Sequence, residues 1–178
     1  MHTEYPKAGN AATIIVMGVS GSGKTIVGQI IAAGRGYEFI DADDLHPEAN
    51  IQKMRAGIPL TDNDRWEWLN NIHTKALNLN DKGISVVFAC SALKKSYRDL
   101  LRTAIEKRRF IYLKGSFKLI QQLLKSRKGH FMPIALLRSQ FEALEEPGTD
   151  EQDCICIPIT TLQEEIQEID IQLKLSNL

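Results

Sequence analysis

The sequence predicts an α/β fold, a five-stranded parallel sheet with helices on both faces, and three observations carry that prediction. Short apolar runs rich in β-branched residues alternate with segments whose apolar residues recur at helical spacing. The run Ile84-Ser85-Val86-Val87-Phe88-Ala89-Cys90 is almost continuously apolar, as suits a strand in the middle of a parallel sheet. Between the first apolar run and the first helical segment lies a glycine-rich octapeptide, a tight link from a buried strand to a helix.

Taken in order, the first strand is expected at 13–17 and the first helix at 26–33, followed by Gly34-Arg35-Gly36, two glycines that should shorten the helix or loosen its cap. A second strand at 37–40 runs into Asp41-Ala42-Asp43-Asp44. Polar, helix-like segments at 47–56 and 62–79 lead to the third strand at 84–90. A helix at 92–106, a strand at 109–113, a helix at 117–126, a last strand at 153–157 and an amphipathic helix at 161–173 complete the pattern. Residues 1–178 read as one domain, with the opening twelve residues expected to be flexible.

Composition narrows the partners. With 178 residues, 43% of them hydrophobic and 25% charged, the chain can bury one real core. Twenty-two basic residues balance twenty-two acidic ones, so no net field recommends nucleic acid or an anionic membrane, and a small molecule is the expected partner. No segment has the apolar length of a membrane span, and Met1 to Lys7 lacks the apolar core of a secretory signal, so the expected location is cytoplasmic. Cys90, Cys154 and Cys156 are odd in number and fall in predicted strands, which reads as small buried thiols in a reducing compartment rather than a metal site.

The octapeptide is Gly18-Val19-Ser20-Gly21-Ser22-Gly23-Lys24-Thr25, which satisfies G-x-x-x-x-G-K-[ST] at every fixed position. The glycines let the backbone turn and aim N–H groups inward, and with the helix N-terminus behind them these donors form an anion cradle. Lys24 should reach the β- and γ-phosphates of a nucleoside triphosphate and the Thr25 hydroxyl should ligate Mg²⁺. In a parallel sheet ligands bind at the carboxyl ends of the strands, so Asp41, Asp43 and Ser91 should face the same cleft as the loop. The third strand ends in Cys90-Ser91 without the acid that many nucleotide hydrolases place there. Asp41-Ala42-Asp43 can replace it, since alternate residues of an extended segment point the same way. Asp41 would support the metal through water and Asp43 would accept the proton of an attacking hydroxyl. The same acids also suit capping of the helix that follows. A regulatory GTPase is disfavoured by the lack of Asn-Lys-x-Asp and of a strand-end Asp-x-x-Gly, and the chain is small for a mechanical ATPase. A small-molecule kinase remains.

The octapeptide, Asp41-Ala42-Asp43-Asp44-Leu45-His46-Pro47, Asn50-Ile51-Gln52-Lys53-Met54, Gly57-Ile58-Pro59-Leu60-Thr61-Asp62-Asn63-Asp64-Arg65, 90–102, 128–133 and 139–145 together make the chain resemble the gluconokinase family, the thermosensitive and thermoresistant gluconate kinases of bacteria. The resemblance spans about residues 13–158. It implies a P-loop kinase fold and ATP-dependent transfer to the 6-hydroxyl of D-gluconate, with ATP and Mg²⁺ at the site and a homodimer as the common assembly. It also implies a substrate-binding helical segment at about 44–80 and a lid at about 125–133, where Lys125-Ser126-Arg127-Lys128 is strongly basic. Arg127 is the expected phosphate contact of the closed lid. A flexible polyhydroxy anion needs a cation and several polar side chains, for which Arg65, Lys94, Arg98, His46 and Ser91 are available. Arg65 is the first choice for the carboxylate, although it could instead be a solvated helix charge beside Asp62 and Asp64. Gln140 either touches substrate or supports the lid helix. A kinase for another hydroxy acid such as shikimate, or a nucleotide-binding module without catalysis, remain as alternatives at this point.

Overall fold

The computed structural model describes residues 11–126 and 133–178. Five strands, β1 (Thr13–Met17), β2 (Glu38–Asp41), β3 (Val86–Ala89), β4 (Arg108–Lys114) and β5 (Cys154–Pro158), form one sheet in the order β2-β3-β1-β4-β5. Every pairing is parallel, as the alternation of strands and helices predicts. The helices are α1 (Lys24–Arg35), α2 (Glu48–Arg55), α3 (Asp62–Asn80), α4 (Lys95–Arg102), α5 (Phe117–Ser126), α6 (Ile134–Ala143) and α7 (Leu162–Leu175).

β1 is buried along its whole length because its alternate residues feed two cores. Ile15 and Met17 pack with Phe88, Phe110 and the α3 residues Trp68, Leu69 and Ile72. Ile14 and Val16 pack on the opposite face with Val27 and Ile31 of α1 and Ile169 and Leu173 of α7. A smaller cluster of Val19, Leu93, Ile120 and Leu137 lies between the octapeptide and helices α5 and α6. The α3 and α7 starts are each fixed by a capping box, Thr61 with Asp64 and Thr161 with Glu164.

Several expectations need adjustment. Ala11 and Ala12 belong to the ordered fold, being buried, with the Ala12 amide donating to Ser85 Oγ at 2.9 Å. α1 is not shortened by its glycines: it runs to Arg35, and Gly36, at φ 66°, closes it with a left-handed cap whose N–H donates to the Ala32 carbonyl. The helix expected at 92–106 shrinks to α4 because the chain leaves β3 through an irregular loop in which Ala92 has φ 43°, and Ala104, at φ 57°, lies just beyond its end. Of the three thiols only Cys90 is buried, while Cys156 on the edge strand β5 is exposed. Among the described residues no helix is long and apolar enough to cross a membrane.

Candidate active site

At the carboxyl ends of β1, β2 and β3 opens a cleft of about 470 Å³, lined on one side by Ser20, Gly21, Lys24 and Thr25 and on another by Asp41, Asp43, His46 and Arg65. Ser91 and Gln140 also line it. The octapeptide wraps the first turn of α1 with Gly18, Gly21 and Gly23 at φ 143°, 84° and 96°. A Cβ on Gly21 would sit 2.7 Å from Leu124, so glycine here serves close packing of α5 as well as the turn. Lys24 Nζ donates to the Val19 carbonyl at 3.0 Å, folded over its own loop.

The acid pair is brought to the loop in a manner the sequence did not reveal. Asp41 ends β2, but residues Ala42–Leu45 form a 3-10 turn rather than an extended segment. Asp41 Oδ1 accepts from the Asp43 amide at 3.1 Å and so caps that turn, while Oδ2 accepts from Thr25 Oγ1 at 3.0 Å. Capping and metal support are therefore compatible duties of one carboxylate. The Trp68 indole of α3 donates to the Ala42 carbonyl at 2.7 Å, which pins the turn from behind. Asp43 opens onto the cleft with 82% of its side chain accessible. Loss of solvation from the surrounding protein and the nearby Asp41 carboxylate nevertheless push its pKa up, with Lys24 opposing. Thr25 and Asp41 place two hard oxygen donors side by side at the cation end of the phosphate cradle, a donor set that fits Mg²⁺. Among the described residues no group of three or more His, Cys, Asp or Glu side chains gathers to hold a metal.

His46 is buried, with its imidazole stacked on Trp68 at 4.4 Å and 10°. Burial, aided by the Arg65 charge, pulls its pKa down to about 4, so at neutral pH the ring is uncharged. Its Nε2 lies 3.9 Å from Asp43 Oδ1, which is then neither an ion pair nor a direct hydrogen bond.

The structure sorts the candidate cations. Arg65 lines the cleft, its Nη1 3.4 Å from the Tyr97 hydroxyl and 3.8 Å from Asp62. Lys94 is turned to Asp62, giving hydrogen bonds of 2.7 and 2.9 Å to its two oxygens, and is not part of the cleft lining. Arg98, expected to touch substrate, does not reach the cleft and must be corrected to an internal role. It is fully buried, forks onto Glu151 at 2.6 and 2.7 Å, and donates to the carbonyls of Ala92 and Leu93. It thereby holds the loop that carries Ser91, whose carbonyl accepts from the Gly18 amide at 3.3 Å. Gln140 supports the phosphate loop: its Oε1 accepts from the Ser20 amide at 2.7 Å and its Nε2 donates to Ser20 Oγ at 2.9 Å. Arg127 and most of the predicted lid lie outside the described residues.

Trp68, Asn50 and Tyr97 organise the site and were not singled out by sequence reasoning. Asn50 and Tyr97 stand in segments that carry the family resemblance and Trp68 is one helical turn from Arg65 on α3, but spacing does not show what a side chain meets.

Comparison with known proteins bears on the fold and the family. Residues 20–165 match the family model described as shikimate kinase. The thermosensitive gluconokinase of Escherichia coli (strain K12) is 50% identical over 147 residues, 83% of this chain and 79% of that protein. The thermoresistant gluconokinase of the same organism is 47% identical over 145 residues, covering 82% and 83%. The crystal structure of a gluconokinase from Sinorhizobium meliloti 1021 is similar with a TM-score of 0.81 and 46% identity over 88% of each chain. The family model gives the kinase domain, and the near relatives narrow it to gluconokinases. A phosphate loop facing an acid turn and a cleft-lining arginine, in a chain this close to those relatives along most of its length, belongs to the gluconokinase family of P-loop kinases.

Proposed function

We propose that this protein transfers the γ-phosphoryl group of ATP to the 6-hydroxyl of D-gluconate, giving 6-phospho-D-gluconate and ADP. The observation that carries the proposal is the single cleft in which the phosphate loop, the Asp41-Asp43 turn and the Arg65 guanidinium meet. The loop amides and Lys24 bind the phosphates, and Thr25 and Asp41 are the residues that would hold Mg²⁺. When bound, the ion would offset charge on the β- and γ-phosphates. Asp43 orients the acceptor hydroxyl and takes its proton as the new O–P bond forms and the bond from the γ-phosphorus to the bridging oxygen breaks, the electron pair leaving with ADP. Arg65 offers a planar fork to the gluconate carboxylate, exchanging its long contact with Asp62 for a bidentate one. Gln140 keeps the Ser20 turn of the loop in place. The enzyme works in the cytoplasm as a homodimer.

A coupled ADP-release assay over gluconate, other aldonates, shikimate and nucleoside monophosphates tests this reading, with Lys24→Ala as the inactive control. Turnover should be strongest with gluconate and lost in the control. Preference for shikimate would overturn the acceptor, and ATP binding with no turnover on any acceptor would overturn catalysis.

A further inference from the structure

Behind the acid turn lies an arrangement whose purpose is chemical as well as structural. Asn50 is buried on α2, and its Nδ2 is 2.7 Å from the Asp64 carbonyl and 3.3 Å from His46 Nδ1. A carbonyl can only accept, so the amide nitrogen, and not its oxygen, must face Asp64. The second hydrogen of that nitrogen is then directed at His46 Nδ1, which must accept it. In a neutral imidazole that places the ring proton on Nε2. Trp68 holds the plane of the ring by stacking on it and is itself held by the Ala42 carbonyl, so Nε2 has one direction in which to point. That direction is toward Asp43 Oδ1, 3.9 Å away, with both residues lining the cleft.

A gap of this size is too long for a direct hydrogen bond, but one oxygen lying to the side can contact both groups at hydrogen-bond distance. Nε2–H can only donate and the Asp43 carboxylate can only accept. The group that satisfies both is a hydroxyl, which accepts with its oxygen and donates its hydrogen. A carboxylate oxygen would satisfy His46 and be repelled by Asp43, and a cation would do the reverse.

We propose that Asn50 is a positioning residue that fixes His46 as a neutral Nε2–H donor, and that His46 and Asp43 together grip the acceptor hydroxyl, His46 orienting its oxygen while Asp43 receives its proton. This rests on the kinase reading above and assigns the feature that makes the subsite selective for a hydroxyl. His46 moves no proton of its own, and the carboxylate of the substrate is directed away to Arg65.

The test separates the two readings. Wild-type turnover of gluconate reports on the kinase assignment alone. Nitrogen-15 NMR of histidine-labelled wild-type protein reports the tautomer without any need for activity: the His46 Nε2 is expected to be the protonated nitrogen, and Asn50→Leu should release a mixture of tautomers. Kinetics then compare His46→Gln, whose amide nitrogen can stand where Nε2 stood, with His46→Phe, which keeps the stack on Trp68 but offers no donor. His46→Phe should lower kcat about 100-fold with the KM for ATP unchanged, and His46→Gln should stay within about tenfold of wild type. A proton found on Nδ1 in the wild type, or full kcat in a folded His46→Phe, overturns the proposal even where gluconate turnover is intact.

Discussion

Replacing Glu151 with leucine removes the counter-charge of a guanidinium that has no route to water. Arg98 is 0% exposed and spends its Nε and Nη2 on Glu151 at 2.7 and 2.6 Å, and Arg102 adds a third contact at 2.7 Å. Breaking a buried pair by deleting one partner costs about 3–5 kcal/mol, because the remaining charge is left uncompensated. The same contacts act on the Glu151 carboxyl: burial alone would raise its pKa, but the hydrogen bonds and charges of Arg98 and Arg102 prevail and pull it from 4.5 to about 2. A displacement of that size corresponds to about 3 kcal/mol of linkage. Its sign is set by the depressed folded value: the contribution is complete above about pH 4.5 and is lost as the pH falls toward 2. Urea unfolding followed by the fluorescence of Trp66 and Trp68 should show Glu151→Leu losing about 3–5 kcal/mol at pH 7, or roughly 6–20 °C in Tm for a chain of this size. The gap from wild type should narrow as the pH is lowered from 5 to 3. The double variant Arg98→Met with Glu151→Leu should recover most of the loss, because no orphaned charge remains. A loss below about 1 kcal/mol, a gap indifferent to pH, or a double variant as unstable as the sum of its parts would refute this account of the pair.

Asp43→Asn should lower kcat by about 10²–10⁴-fold with ATP affinity measured by calorimetry unchanged, and a kcat within a few-fold of wild type would remove Asp43 as the base. Arg65→Lys keeps the charge but loses the fork, so the KM for gluconate should rise about tenfold while that for ATP stays put; equal effects on both substrates would argue against a carboxylate contact. Gln140→Leu deletes two neutral hydrogen bonds to Ser20, and a rise of about three- to tenfold in the KM for ATP is expected. An unchanged value in a steady-state titration would show that the loop holds its shape without them.

Local chemistry made much of this molecule legible. The β-branched run at 13–17 coincides with β1, the helix expected at 117–126 coincides with α5, and the phosphate loop could be recognised because its glycines, lysine and threonine are consecutive. The departure from expectation after β3 involves tertiary contacts: Ala92 is left-handed in a loop whose carbonyls 92 and 93 accept from Arg98, the Leu93 carbonyl also from the Glu145 amide. The acid pair was found for an incomplete reason, since period-two geometry does not describe a 3-10 turn.

By itself the sequence determined the alternating fold, the nucleotide cradle and the set of polar residues from which an acceptor site could be made, because each is encoded by neighbours within a turn or a strand. What those polar residues do is set by the packing around them. Arg65, Lys94 and Arg98 are equivalent as letters, yet one faces the cleft, one is bound to Asp62 and one is sealed in the core against Glu151, 53 positions away. A cation's role is set by its solvent access and by the carboxylate it meets, and both depend on how α3, α4 and the segment before β5 pack. The hydrogen bonding of His46 likewise depends on Asn50, whose amide the Asp64 carbonyl holds toward Nδ1, and on Trp68 stacked against the ring.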